Sequence, residues 1–467
     1  MPDKINTLCI VSDTLRTDYL GCYGNKFIKT PNLDAFARDS VVFEWAHPES
    51  LPTIPYRRSL HTGRRAYPFK NYKPVRWDNV YLPGWQPMDN MEDSLAENLF
   101  NAGYYTGFVS DVPHYFVPGM NFTRGAQQWE FVRGQAEDKW RSPAVAPYGE
   151  MSKYGDPEQI KKQFPGGRIL RHVANYYHIH SEEETSTAKV FRWAMDFVQD
   201  NRNVHPFYLY ADCFAPHESW EAPDDYLEMY ADPNYKGKNI LSTAYAPADG
   251  RYTEEEVEYI KAHYCGLVSL VDNWFGTLIN KLKRLGLYEN SLIVFTSDHG
   301  TNFTDNSENV IGKPHYSLFP GVMHIPLIVH FPGGEGAGKR FSDLVYNTDA
   351  TATIYDYAGV DINELDIHGQ SFRKLVFDNE WQEREYLTCR YGDTVWYRDQ
   401  KNWIIISADG KARCVFDLET DLKCQNNILD NTDESVIKKA WKCILDDAGG
   451  EIPIYDMKKM TDAVGRK

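Results

Sequence analysis

The stretch TLCIVSD, residues 7–13, is an apolar run with almost no polar interruption that ends on a carboxylate. SLIVFTSDHG, residues 291–300, repeats the pattern and ends on Asp298 and His299. A run this short and continuous fits a strand buried on both faces, and such a strand needs a layer of helix on either side. VVFEWAH (41–47), YYTGFVSD (104–111), PFYLYADCF (206–214) and IPLIVHFPG (325–333) read as further strands of this kind. Helical patterns lie between them. TPNLDAFARDS (30–40) places Leu33, Phe36 and Ala37 on one side, and DSLAENLFNAG (93–103) stops at a glycine. Residues 253–287 form a long amphipathic segment with acids at its start and Lys and Arg near its end, the order a helix macrodipole favours. Strands alternating with helices predict an α/β fold: a mostly parallel sheet flanked by helices on both faces.

Two regions break the alternation. Residues 112–205 are rich in Tyr, Trp, Pro and Gly and weakly periodic, which reads as an insertion of short helices on a pocket rim. After residue 376 the strands become short and are separated by turn signals such as Asp409-Gly410, and the helical pattern ESVIKKAWKCIL follows. A chain of 467 residues is too long for one simple core. The expected division is a catalytic α/β domain over 1–375, carrying the 112–205 insertion, and a small antiparallel-sheet subdomain over 376–467.

Charge and cysteine content narrow the function classes. Lys plus Arg number 50 against 66 Asp plus Glu, a net charge of −16. Such a surface repels polyanions, so nucleic acid and anionic membranes are not expected partners. A small anion can still enter a locally basic pocket. The 8 cysteines form no CxxC pair and no zinc-ligand spacing, and read as reduced thiols. The start MPDKINTLCIVSD lacks the features of a signal peptide, and no run approaches the roughly 18 apolar residues of a membrane span. A cytoplasmic location is expected; a homo-oligomer is left open.

In a parallel α/β sheet, chemistry gathers at the carboxyl ends of the strands. Asp13, Asp298 and His299 stand at such ends, and His217 follows PFYLYADCF. Taken singly, each has a plainer explanation: a strand-end Asp is most often a turn or cap residue, and a lone loop histidine is usually on the surface. His114 and His315 are as ambiguous, and Arg57 with Arg58 could be a solvated helix face. Together, carboxylates and imidazole suit a divalent cation. SLPTIPYRRSLHTGR, residues 50–64, has the grammar of a loop entering a helix, with Thr53 at the junction. A hydroxyl beside a cation ionises more readily and attacks an electrophile.

In order along residues 5–425, these motifs resemble the sulfatase family of the alkaline phosphatase superfamily. IVSDTLRTDYLGCYG resembles its opening strand and metal-binding turn. TIPYRRSLHTGR is similar to its Cys/Ser-x-Pro-x-Arg segment with the following Thr-Gly-Arg. DCFAPHESW, the 271–300 helix and strand, and GKPHYSLFPGVMHIPLIVHFPG resemble the histidine, second metal-binding and lysine segments. The resemblance implies that Asp13, Asp298 and His299, with Thr53 completing the shell, bind one divalent cation (Mn, Mg, Ca or Zn). It implies that Arg57 orients the nucleophile, and that His114, His217 and Lys313 contact the transferred group or the leaving oxygen. Asp111 falls where many members carry a Lys. A second cation on Asp212, His217 and His315 is the alternative to Lys313 supplying that positive charge.

Two departures direct the chemistry. Thr14 stands where many sulfatases have a second metal-binding Asp, which disfavours calcium. Thr53 stands where sulfatases carry the Cys or Ser that is oxidised to formylglycine, and a secondary alcohol cannot yield that aldehyde. The expected activity is therefore hydrolysis of a small anionic ester, a phosphate monoester, phosphodiester or phosphonate ester, with Thr53 as nucleophile. The alternatives are a sulfatase working without formylglycine and a catalytically silent ligand-binding relative.

Overall fold

The computed structural model describes residues 5–75, 80–135, 138–164, 166–204, 206–457 and 459–460. The ends of the two expected domains, 1–4 and 461–467, lie outside the described residues.

The buried runs assemble one eight-stranded sheet, in the order Arg340–Tyr346, Val41–His47, Ile325–His330, Ser291–Thr296, Asn6–Ser12, Phe207–Cys213, Tyr105–Ser110, Gln128–Phe131. Only Ile325–His330 runs antiparallel to its neighbours. The strand Asn6–Ser12 is central, with parallel partners on both sides: Val11 is in register with Asp212 and with Thr296. This register places Asp13, Asp212 and Asp298 at one edge of the sheet, within a residue or two of each other in height.

The pleat divides the core in two. Leu8, Ile10, Leu209, Ala211, Ile293 and Phe295 point into the layer formed by the helices Pro31–Arg38, Ser186–Asp200 and Glu254–Arg284. Cys9, Val11, Tyr208, Tyr210, Leu292 and Val294 point the other way, toward Thr53–Thr62, Leu95–Asn101 and Asn347–Ala358. The long helix starts at a capping box of Thr253 and Glu256 and ends with Lys281, Lys283 and Arg284 in its last turn. It stops short of the expected 287, where Gly286 takes a left-handed conformation at φ +69°.

The 112–205 region differs from its reading as an insertion throughout. Gln128–Phe131 is the edge strand of the central sheet, parallel to Tyr105–Ser110. Ser186–Asp200 buries Val190, Phe191, Ala194, Phe197 and Val198 against it. The edge strand is paired on one side and half exposed, so its sequence has no continuous apolar run. The short helices lie between these two elements, over residues 143–184. Toward the C-terminus, Leu387–Tyr391, Thr394–Arg398, Asn402–Ser407 and Ala412–Asp417 form an antiparallel meander, followed by the helix Glu434–Asp447. Leu51 bridges to Tyr391, so this sheet abuts the loop that carries Thr53. Among the described residues no helix is long and apolar enough to cross a membrane. None of the 8 cysteines is disulfide-bonded.

The helix Pro31–Arg38 shows how the layers lock. Its N-cap Thr30 makes no side-chain cap bond. Asp272 of the long helix does so in its place, accepting from Leu33 N at 2.7 Å and from Asn32 N at 3.2 Å and Nδ2 at 2.8 Å. Replacing Asp272 by Ala leaves those donors unmatched in a buried site. Urea unfolding should show a loss of about 1–3 kcal/mol, with Asp272→Asn intermediate.

Candidate active site

Thr53 is the first residue of the helix Thr53–Thr62, and Arg57 lies one turn further along the same face. Thr53 is buried, with its Oγ1 3.4 Å from His299 Nε2. The guanidinium of Arg57 meets three carboxylates. Nε and NH2 grip Asp212 at 2.8 and 2.9 Å, NH2 also reaches Asp13 at 3.0 Å, and NH1 pairs with Asp298. NH1 further donates to the carbonyl of Thr53 at 3.3 Å, tying the charge cluster to the helix start.

Asp13, Asp298 and His299 present ligand atoms within 4.8 Å of one another, and all three side chains are buried. Burial and the neighbouring Asp298 push the Asp13 carboxyl well above the usual carboxylate range. Burial acts on Asp298 in the same direction, but His299 and Arg57 outweigh it and hold Asp298 below its ordinary value. Burial lowers His299 to about 4, so the ring is neutral at physiological pH. Its Nδ1 faces the Gly300 carbonyl at 3.0 Å. A carbonyl only accepts, so Nδ1 carries the proton and Nε2 directs its lone pair toward Thr53 and Asp298. Two buried carboxylates and an imidazole lone pair around one point are a donor set that fits a divalent cation. Thr14 completes the turn in a left-handed conformation at φ +63°, unusual for a β-branched residue, which aims its N–H at Asp298 Oδ1 at 2.9 Å.

Above this cluster opens a cavity of about 200 Å³. Thr53, His114, His217 and Lys313, far apart in sequence, all line it. His217 directs Nδ1 at the Glu218 carbonyl and stacks on Phe214 at 4.1 Å. Burial lowers it to about 3, so it too is neutral. Lys313 Nζ lies 3.3 Å from Thr14 Oγ1 and 3.1 Å from Glu218 Oε2. His114 packs edge-on against Trp85 at 4.8 Å. A larger hollow of about 500 Å³, lined by Tyr176, Glu221 and Asp224 among others, contains none of these residues.

Three expectations need correction or addition. Asp212, His217 and His315 do not converge. Asp212 is occupied by Arg57 and by the hydroxyls of Tyr115 and Tyr210 at 2.6 and 2.9 Å, and His315 lies against Gly392 outside the cavity lining. Among the described residues, Asp13, Asp298 and His299 are the one group of three or more His, Cys, Asp or Glu placed to hold a metal. Asp111 is buried and accepts from Phe214 N at 2.6 Å, away from the cavity lining. Glu218, which no motif singled out, is a buried member of the cavity wall. Trp85, Tyr245 and Tyr391 join it there from loops and from the C-terminal meander, with no motif to announce them.

A carboxylate-rich cluster at the strand ends with a donor set that fits a divalent cation, beneath a helix-initial hydroxyl and a lysine-bearing pocket, points to an ester hydrolase, and comparison with known proteins agrees. The sulfatase family model matches residues 5–360, and the model for the C-terminal part of N-sulphoglucosamine sulphohydrolase matches 316–448. The chain belongs to the sulfatase family. It is 24% identical over 471 residues to an arylsulfatase of Clostridium perfringens, covering 92% of this chain and 91% of the relative. It is 24% identical over 457 residues to the multifunctional alkaline phosphatase superfamily protein PehA of Trinickia caryophylli, covering 89% and 85%. The crystal structure of the phosphonate monoester hydrolase of Agrobacterium radiobacter superposes with a TM-score of 0.71 at 20% identity, covering 95% of both chains, and shares the fold.

A cation bound here should stabilise the protein by linkage. Adding Mn²⁺ or Mg²⁺ to chelator-treated protein should raise the melting temperature of the wild type. In Asp298→Ala that increment should vanish. An equal rise in the variant would show that the ion binds elsewhere.

Proposed function

We propose that this chain hydrolyses small anionic esters with Thr53 as nucleophile, on phosphate monoesters, phosphodiesters or phosphonate esters in preference to sulfate esters. The observation that carries the reading is the place of Thr53. Its hydroxyl lies between the Asp13–Asp298–His299 cluster and the cavity holding Lys313, at the start of a helix whose free N–H groups favour an anion.

Asp13, Asp298 and His299 would hold a divalent cation, which when bound supplies Lewis-acid stabilisation of the ester's developing charge. Arg57 fixes the helix start through the Thr53 carbonyl and pairs with both Asp13 and Asp298, easing the repulsion between them. Thr53 Oγ bonds to phosphorus as the bond to the leaving oxygen breaks. The threonine proton passes to solvent water, while His217, whose Nδ1 donates to the Glu218 carbonyl, lies in the cavity wall beside the transferred group. Lys313 Nζ faces the cavity with its positive charge and donates to the leaving oxygen. Water then attacks the phosphothreonine in line and returns the free hydroxyl. A sulfated threonine has no comparable exit, because it lacks the geminal hydroxyl through which formylglycine expels sulfate. The family relationship favours a second reading, sulfate ester hydrolysis, and an aryl sulfate assay separates the two.

Thr53→Ala should lose several orders of magnitude in turnover of an aryl phosphodiester while keeping the metal-dependent rise in melting temperature. Thr53→Ser should retain part of the activity. Rapid-quench mass spectrometry should find a transient phosphoryl mass on the peptide containing Thr53. An alanine variant as fast as the wild type would assign the attack to water instead. Lys313→Ala should cost roughly 10²–10³ in turnover; a change under about threefold would remove it from the transition state.

A further inference from the structure

Lys313 lines the cavity and Arg57 lies buried beneath Thr53, and each is already matched by a carboxylate outside the metal-ligand group. Arg57 is held two-pronged by Asp212 at 2.8 and 2.9 Å. Lys313 is held by Glu218 at 3.1 Å. The second match is the unexpected one, because Glu218 is itself part of the cavity wall. Its side chain is 3% exposed, so solvent does little to screen its charge. Its Oε2 accepts from Lys313 and its Oε1 from the Tyr245 hydroxyl. Burial works against its ionisation, but His217 and Lys313 prevail and lower it to about 2.

The charges of the site then nearly cancel. A divalent ion would be balanced by Asp13 and Asp298, Arg57 by Asp212, and Lys313 by Glu218. His217 is neutral. Arg168 also borders the cavity, but it is exposed at the rim and donates to Ser242 Oγ at 3.1 Å, where solvent weakens its field. A ligand with one negative charge meets Lys313 and the cation at a site of near-zero net charge. A second charge adds to a site the first has already made negative, beside the Glu218 carboxylate in a cavity of about 200 Å³, where like charges repel strongly.

We propose that Glu218 is a specificity-determining residue that makes this site select singly charged esters over doubly charged ones, a refinement that rests on reading the site as an ester hydrolase centre. The favoured substrates are phosphodiesters and phosphonate monoesters, each with one negative charge. A phosphate monoester is disfavoured because its second ionisation falls near about 6, leaving it a dianion in neutral solution. Glu218→Gln keeps the size of the side chain and one oxygen to accept from Lys313; its amide nitrogen then donates to the Tyr245 hydroxyl oxygen, and the negative charge is removed.

The test compares wild type and Glu218→Gln, both loaded with Mn²⁺, at about pH 8, where phosphate is doubly charged. Isothermal titration with inorganic phosphate and with methanesulfonate measures a dianion and a monoanion. The variant should gain at least about tenfold more affinity for phosphate than for methanesulfonate. Equal changes for both anions, or a loss confined to phosphate, would overturn the assignment. In kinetics, the wild type should have a higher kcat/KM for a methyl aryl phosphate than for the aryl phosphate with the same leaving group. The variant should shift that ratio toward the aryl phosphate by about tenfold. A wild type that prefers the aryl phosphate overturns the proposal, however well the variant folds. The binding measurement needs no turnover. Failure of Thr53 as nucleophile would therefore leave it intact, whereas equal anion responses would reject charge selection with the Thr53 chemistry standing.

Discussion

Arg57 holds the centre of this molecule together. Three carboxylates, from the ends of three adjacent central strands, would repel one another if buried alone, and the guanidinium between them prevents it. Ion pairs away from water repay their desolvation only with good geometry and full hydrogen bonding. That condition is met here: Asp212 receives two bonds from Arg57 and two from tyrosine hydroxyls, while Asp298 is fixed by two backbone N–H groups as well. The planar fork of an arginine suits this arrangement, and a lysine could not reproduce it. Because the same residue grips the Thr53 carbonyl, the charge cluster also sets where the hydroxyl stands.

The cavity is built differently from the cluster beneath it. The cluster comes from strand ends and one helix turn, all rigid parts of the sheet. The cavity wall comes from loops around 80–85, 114, 214–219, 245 and 313, and from Tyr391 of the C-terminal meander. Strand ends and a helix start hold the cluster and Thr53, while loops carry His217 and Lys313 and shape what surrounds them. The charge pairing of Lys313 with Glu218 belongs to this loop-built part: it arises from a single residue beside the cavity histidine.

Thr14, Thr53 and Asp111 stand where the resemblance to the sulfatase pattern leads one to expect other residues. Thr14 gives up an anionic ligand, yet its backbone remains in the left-handed turn and its hydroxyl donates to Asp13 at 2.7 Å. Thr53 keeps a hydroxyl at the helix start but removes the route to an aldehyde. Both substitutions preserve hydrogen-bonding oxygens, and the surrounding carboxylates, arginine and lysine remain in place.

Much of this was legible in the sequence because the period of a buried strand and the chemistry of its last residue are local properties. TLCIVSD and SLIVFTSDHG announced two central strands and three polar groups at their ends; Thr53 and Arg57, one helical turn apart, announced a shared face. Gln128–Phe131 escaped because an edge strand leaves no continuous apolar trace. Asp212 was expected only as a ligand to a second cation, but a carboxylate at that height can face a cation or a guanidinium, and only the approach of the Thr53–Thr62 helix decided for Arg57. Glu218, Tyr245, Trp85 and Tyr391 are ordinary residues in their own segments. They acquire a role only where segments from 27 to more than a hundred residues apart close over one small cavity, a matter of distance and desolvation that no local pattern carries.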